Sequence, residues 1–68
     1  MDNTAIHERL RTIDAASYCG LSKSTLDKYR LTGEGPVFIK LGRVVVYDVT
    51  DLDTWLNSNK FHSTSEIK

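Results

Sequence analysis

Ala15-Ala16-Ser17-Tyr18-Cys19-Gly20-Leu21-Ser22-Lys23-Ser24-Thr25-Leu26 is the stretch whose reading decides the fold. A short helical text runs into Gly20, a residue that accepts the left-handed backbone a helix end often needs. Two residues later Ser22 offers a hydroxyl to cap a second helix, which opens at Lys23. Upstream, Thr12 reads as the hydroxyl cap of the first helix. Asp14 stands in its first turn, where a carboxylate suits the helix dipole. Ile13, Ala16 and Cys19 fall on one face, which the spacing predicts to be the buried one.

The second helix is predicted from Lys23 to roughly Leu31, with Leu26 and Tyr29 on its inner face. Ser24 and Lys28 point the opposite way, and Lys23 and Asp27 lie beside them. Gly33-Glu34-Gly35-Pro36 is dense turn chemistry and ends helical structure. Two short helices joined by a glycine-containing turn make a helix-turn-helix shape. Further on, Val37 to Leu41 and Val44 to Tyr47 are two β-branched and aromatic runs around Gly42-Arg43. They read as a β-hairpin with Arg43 at its tip. A third helix follows, with Thr50 as its expected cap, Asp51 and Asp53 in the first turn, and Leu52, Trp55 and Leu56 as its apolar face. The fold class implied is α+β and mostly α: three short helices and a hairpin, a small winged helix-turn-helix. Arg9-Leu10-Arg11 reads as an extended lead-in. Residues 1–8 are expected to be disordered, 9–57 to form the domain, and 58–68 to be a flexible tail.

At 68 residues the chain holds one small domain, with a core too small for a multi-residue catalytic cleft. The single cysteine excludes an internal disulfide. Cys19 with only His7 and His62 makes no zinc set, so no cofactor or metal is expected. No apolar run is long enough to span a membrane, and the polar start is not a signal-peptide core; a cytoplasmic protein is the expectation. Net charge is zero, yet its distribution is uneven. Residues 9–47 carry seven basic and three acidic side chains, whereas 48–57 carry only Asp48, Asp51 and Asp53. Folding that gathers the basic stretch on one surface lets it meet phosphate.

That surface is where chemistry is expected. An α-helix fits the major groove of B-DNA, where Ser and Lys can bond to bases or phosphate. Ser24 and Lys28 are the outward groups; on any small domain they could equally be a solvated face. An arginine at a hairpin tip can reach phosphate or a minor groove, or can simply keep the turn soluble. The aromatic set Tyr18, Tyr29, Phe38, Tyr47, Trp55 and Phe61 is assigned to core packing, not base stacking. Cys19 is read as a small buried hydrophobe with no histidine in the ordered region to activate it.

The run from Ala15 to Leu26 resembles the A-A-x-Y-L-G-L-S-x-x-T-L opening of small phage and plasmid helix-turn-helix proteins. Gly33-x-Gly35-Pro36, Phe38-x-Lys40-x-Gly42-Arg43, Val45-x-Tyr47 and Asp51-Leu52-x-x-Trp55-Leu56 continue the likeness in order. Residues 10–57 therefore resemble the excisionase and AlpA-type regulators, whose winged domain is related to that of MerR. The resemblance implies sequence-specific binding of double-stranded DNA without enzymatic activity. The role would be excision directionality in a phage or mobile element, or transcription control. It maps the groove-facing helix onto Ser22, Lys23, Ser24, Thr25, Asp27, Lys28 and Arg30, and the wing contacts onto Lys40 and Arg43. An integrase and adjacent copies of the chain on DNA are the partners it adds. Cys19 stands where the pattern has leucine, and Val46 and Asp48-Val49 replace positions that are commonly basic, so fewer phosphate contacts are expected from the wing. An interaction module that contacts an integrase or polymerase with little DNA binding is the alternative.

Overall fold

The computed structural model describes residues 8–63. Strand β1 (Arg9–Arg11) leads directly into helix α1 (Thr12–Cys19). Helix α2 (Lys23–Thr32) follows, then β2 (Ile39–Leu41), β3 (Val44–Asp48) and helix α3 (Val49–Ser58). The hairpin is therefore part of a three-stranded antiparallel sheet of order β1-β3-β2. Leu10 lies opposite Tyr47 in one pairing and Lys40 opposite Val45 in the other. The lead-in is a true strand, and Glu8 just before it already accepts a hydrogen bond from the Val49 N–H at 3.0 Å. Expectations for residues 1–7 and 64–68 lie outside the described residues.

Turn chemistry sets the joints. Gly20 has φ 77°, and its N–H donates to the carbonyls of Ala16 and Ser17. The Leu21 N–H closes on the Ala16 carbonyl at 2.8 Å, completing the cap that lets α2 depart two residues later. Gly42 has φ 62° while no non-glycine residue has positive φ among the described residues. A positive φ at only the first loop residue is the type II′ pattern, whose twist matches that of the flanking strands. Val37 and Phe38, expected in the first hairpin strand, precede β2, and only Ile39 to Leu41 pair with β3.

Two of the three expected caps move. Ser22 caps α2 as read, accepting from the Thr25 N–H at 3.2 Å. Thr12 is not a cap but the first helical residue of α1, and it is buried; Arg11 occupies the cap position with no side-chain bond. Thr50 is likewise inside α3. Asp48, at the end of β3, is the cap: its Oδ1 accepts from the Thr50 N–H at 2.9 Å and from the Thr50 hydroxyl at 2.6 Å. The carboxylate wins because β3 enters α3 without a loop, which leaves the last strand residue at the helix mouth.

The core is compact: Ala15 and Ala16 of α1, Leu26 of α2, Tyr47 of β3 and Leu52 of α3, with Leu10, Cys19, Leu21 and Val45 packed around it. Small residues on α1 let α2 and the sheet approach closely. Ile13, expected inside, is 61% exposed, because Thr12, Ala15 and Ala16 form the buried stripe. The aromatic residues are not all core either. Tyr47 is buried, Tyr29 and Trp55 are half-buried, and Tyr18, Phe38 and Phe61 are exposed. Trp55 meets the Tyr29 ring edge-on at 6.0 Å and donates its indole N–H to the Glu34 carbonyl at 3.0 Å. It buttresses the turn after α2 from α3.

This division of labour predicts a ranking. Leu26→Ala, at a fully buried site, should cost about 2–5 kcal/mol and largely unfold so small a domain. Ile13→Ala should change stability by less than about 0.5 kcal/mol. Thermal melts of the two variants check the order.

Candidate nucleic-acid interface

Helix α2 is built to present one face. Leu26 anchors it inward, while Ser24 and Lys28 are exposed on the opposite side. Around its first turn the hydroxyls gather: Ser22 Oγ lies 2.8 Å from Thr25 Oγ1 and 3.3 Å from Ser24 Oγ. Ser22 is thus occupied as the helix cap, with Ser24 and Thr25 near it. Lys28 makes no ion pair among the described residues, so its ammonium is available to a ligand.

The remaining charged groups of α2 are tied to one another. Lys23 Nζ donates to Asp27 Oδ2 at 2.8 Å, and Arg30 donates to Asp27 Oδ1 at 2.9 Å. Arg30 also donates to the Tyr47 hydroxyl at 3.0 Å. The Lys23 hydrogen bond foremost holds the Asp27 carboxyl below the ordinary aspartate value; desolvation opposes it, and the Arg30 hydrogen bond adds to the lowering. Of the residues mapped onto the groove-facing helix, Ser24 and Lys28 therefore point outward unpaired by charge. Lys23, Asp27 and Arg30 form a chain along one flank.

That flank lines a groove shared by three elements. Arg11 and Asp14 come from the β1–α1 junction, Lys23, Asp27 and Arg30 from α2, and Arg43 from the hairpin tip. Lys40 is exposed on β2 beside the tip. The four cations of this groove come from separate parts of the chain, and the fold converts a neutral total into a basic surface. Arg11 is the member that sequence reading missed. Its signal was the alternation of Arg9-Leu10-Arg11, which sends both arginines to the face opposite Leu10. On the far side, Tyr18 donates to Asp53 at 2.6 Å, which raises the Tyr18 hydroxyl pKa and ties α1 to the acidic helix α3.

Burial foremost pushes the Cys19 thiol pKa up, which disfavours the thiolate. No group of three metal-ligating side chains occurs among the described residues. Nor is any helix among them long and apolar enough to cross a membrane.

A family model described as a helix-turn-helix domain matches residues 9–60. The chain belongs to that family. The match begins at β1 and runs through α3, so it covers the whole sheet and all three helices. No curated protein matches the chain. Within this helix-turn-helix domain, α1, the Gly20 turn and α2 form the motif itself. Such a domain suggests double-stranded DNA as the partner.

The depressed Asp27 pKa carries a pH dependence. A carboxylate lowered by folding contributes stability above its unfolded pKa, and that contribution disappears as pH falls through the folded value. The melting-temperature gap between the parent and Asp27→Asn should thus be present at neutral pH and close in strongly acidic buffer. An NMR titration of the Asp27 side chain should give a midpoint below the ordinary aspartate value.

Proposed function

We propose that this helix-turn-helix protein binds double-stranded DNA sequence-specifically, with α2 in the major groove and the Gly42-Arg43 tip on the flanking backbone. It performs no chemistry on the DNA. Its role is that of a recombination directionality factor of a mobile element or of a small transcription regulator. The observation that carries the reading is the joint exposure of Ser24 and Lys28 on α2, Lys28 without an ion pair among the described residues, beside a groove where Arg11, Lys23, Arg30 and the exposed Arg43 converge. The major groove of DNA admits a helix such as α2, whose outward polar groups can meet base edges while flanking cations meet phosphate. The likeness to excisionase and AlpA-type regulators supports the finer role, in which an integrase and neighbouring copies on the DNA are the further partners.

Zero net charge favours a second reading, an accessory module that contacts an integrase or polymerase and barely touches DNA. Salt dependence separates the two. Each phosphate contact adds about 0.9 to the magnitude of the slope of log affinity against log salt, and a protein-only module has no such slope.

Titration against DNA flanking the protein's own gene tests the proposal. Lys28→Ala or Ser24→Ala, whichever removes a base contact, should weaken the specific site by about 1–3 kcal/mol and random DNA by less. Arg43→Ala should weaken both by similar factors and lower the salt slope by about 1, with melting nearly unchanged. Parent-like binding by all three variants overturns the proposed interface.

A further inference from the structure

Close backbone packing holds α2 to α1, whereas nothing comparable joins α2 to the sheet. The link from α2 to the middle strand is made by side chains, and one of them, Arg30, makes three contacts at once. One guanidinium nitrogen donates to the Tyr47 hydroxyl at 3.0 Å, and the other donates to Asp27 at 2.9 Å. The guanidinium carbon lies 5.8 Å from the centre of the Phe38 ring, which in turn sits 6.3 Å from that of Tyr47. The Arg30 side chain is only 23% exposed. Two of its five N–H donors and its flat face are thus engaged within the protein.

Each partner has a reason to keep this arrangement. Tyr47 is buried to 1% exposure, and a buried phenol needs a partner for its oxygen. Asp27 is pinned from the other side by Lys23. The chain Lys23–Asp27–Arg30–Tyr47 runs from the first turn of α2 to the strand that pairs with β2 and carries the hairpin tip. A planar fork can donate to two partners and stack on a ring together; a lysine ammonium cannot.

The geometry points to Arg30 as a positioning residue. It fixes the angle between α2 and the hairpin, so that Lys28 and Arg43 meet one duplex together, and it makes no phosphate contact of its own. This rests on the DNA-binding reading above, and it assigns Arg30 a different task from the groove contact that family likeness implies.

Tyr47→Phe is the cleanest probe, because it keeps the core ring and every charge while removing the oxygen that Arg30 grips. Arg30→Gln is the companion variant. In the free protein, amide residual dipolar couplings should fit one common orientation of α2 and the hairpin for the parent. Both variants should keep each element intact but lose the common fit. On DNA, Arg43→Ala should lower the salt slope by about 1 in the parent background, and this effect should shrink several-fold in the Tyr47→Phe background. Arg30→Lys should behave like Arg30→Gln, even though it preserves the charge. The proposal is overturned if Tyr47→Phe retains the parent orientation together with the full Arg43 effect. It is equally overturned if Arg30→Gln lowers the salt slope additively with Arg43→Ala, the mark of an independent phosphate contact. A parent without salt-dependent binding defeats the DNA reading instead, and the dipolar couplings then decide the positioning role alone.

Discussion

Burying the ring of Tyr47 leaves its hydroxyl few places to go, and the rest of the domain is arranged around the solution. The ring sits in the middle strand among Ala15, Ala16, Leu26 and Leu52, one residue from each helix or more, so all three helices close on it. Its oxygen emerges at the edge of that core and accepts from Arg30. One side chain therefore supplies apolar area to the core and a polar handle to α2. An apolar residue of the same size would fill the space but leave Arg30 without its hydrogen bond to the sheet.

The same economy shapes the electrostatics. On α2, Asp27 consumes the charge of two cations, Lys23 and Arg30, and so keeps the helix flank ordered while limiting its attraction for phosphate. Lys28 and the hairpin-tip Arg43 remain outward-facing. On the proposed DNA-binding reading, affinity would come from a few well-placed cations, and the neutral total would suppress indiscriminate adhesion to any duplex. Asp48, Asp51 and Asp53 collect at α3, where Asp48 caps the helix and Asp53 holds Tyr18, and none of the three lines the basic groove.

The two helices of the motif, their joint at Gly20, the Ser22 cap and the Gly42 turn were legible because each depends on neighbours within a few residues. What escaped the sequence depends on distant ones. Three residues of β1 offer only the brief alternation of an extended lead-in, too short to announce a strand, and they become one because β3 offers an edge. Thr50 and Asp48 are both good caps, and the choice between them is made by where β3 ends. Ile13 reads as core by type, yet the small Ala15 and Ala16 take the inward stripe, since only they allow close approach of α2. The candidate site follows the same rule. The outward placement of Ser24 and Lys28 was visible from helix periodicity, whereas the engagement of Arg30 by Tyr47 spans 17 residues and needs the sheet to exist first.

The order of the sheet also has a consequence for how the chain is made. β1 lies at the start of the domain, but among the described residues its only strand partner is β3, and the register joins Arg9 to Asp48. During synthesis the first strand must wait, unpaired, until nearly the whole domain has left the ribosome, while α1 and α2 already have each other. Such non-local pairing is slow relative to helix packing. A nascent chain halted before Val44 would thus hold the two helices of the motif without the sheet that aligns them, and competence for DNA would arrive in one late step when β3 closes between its two neighbours.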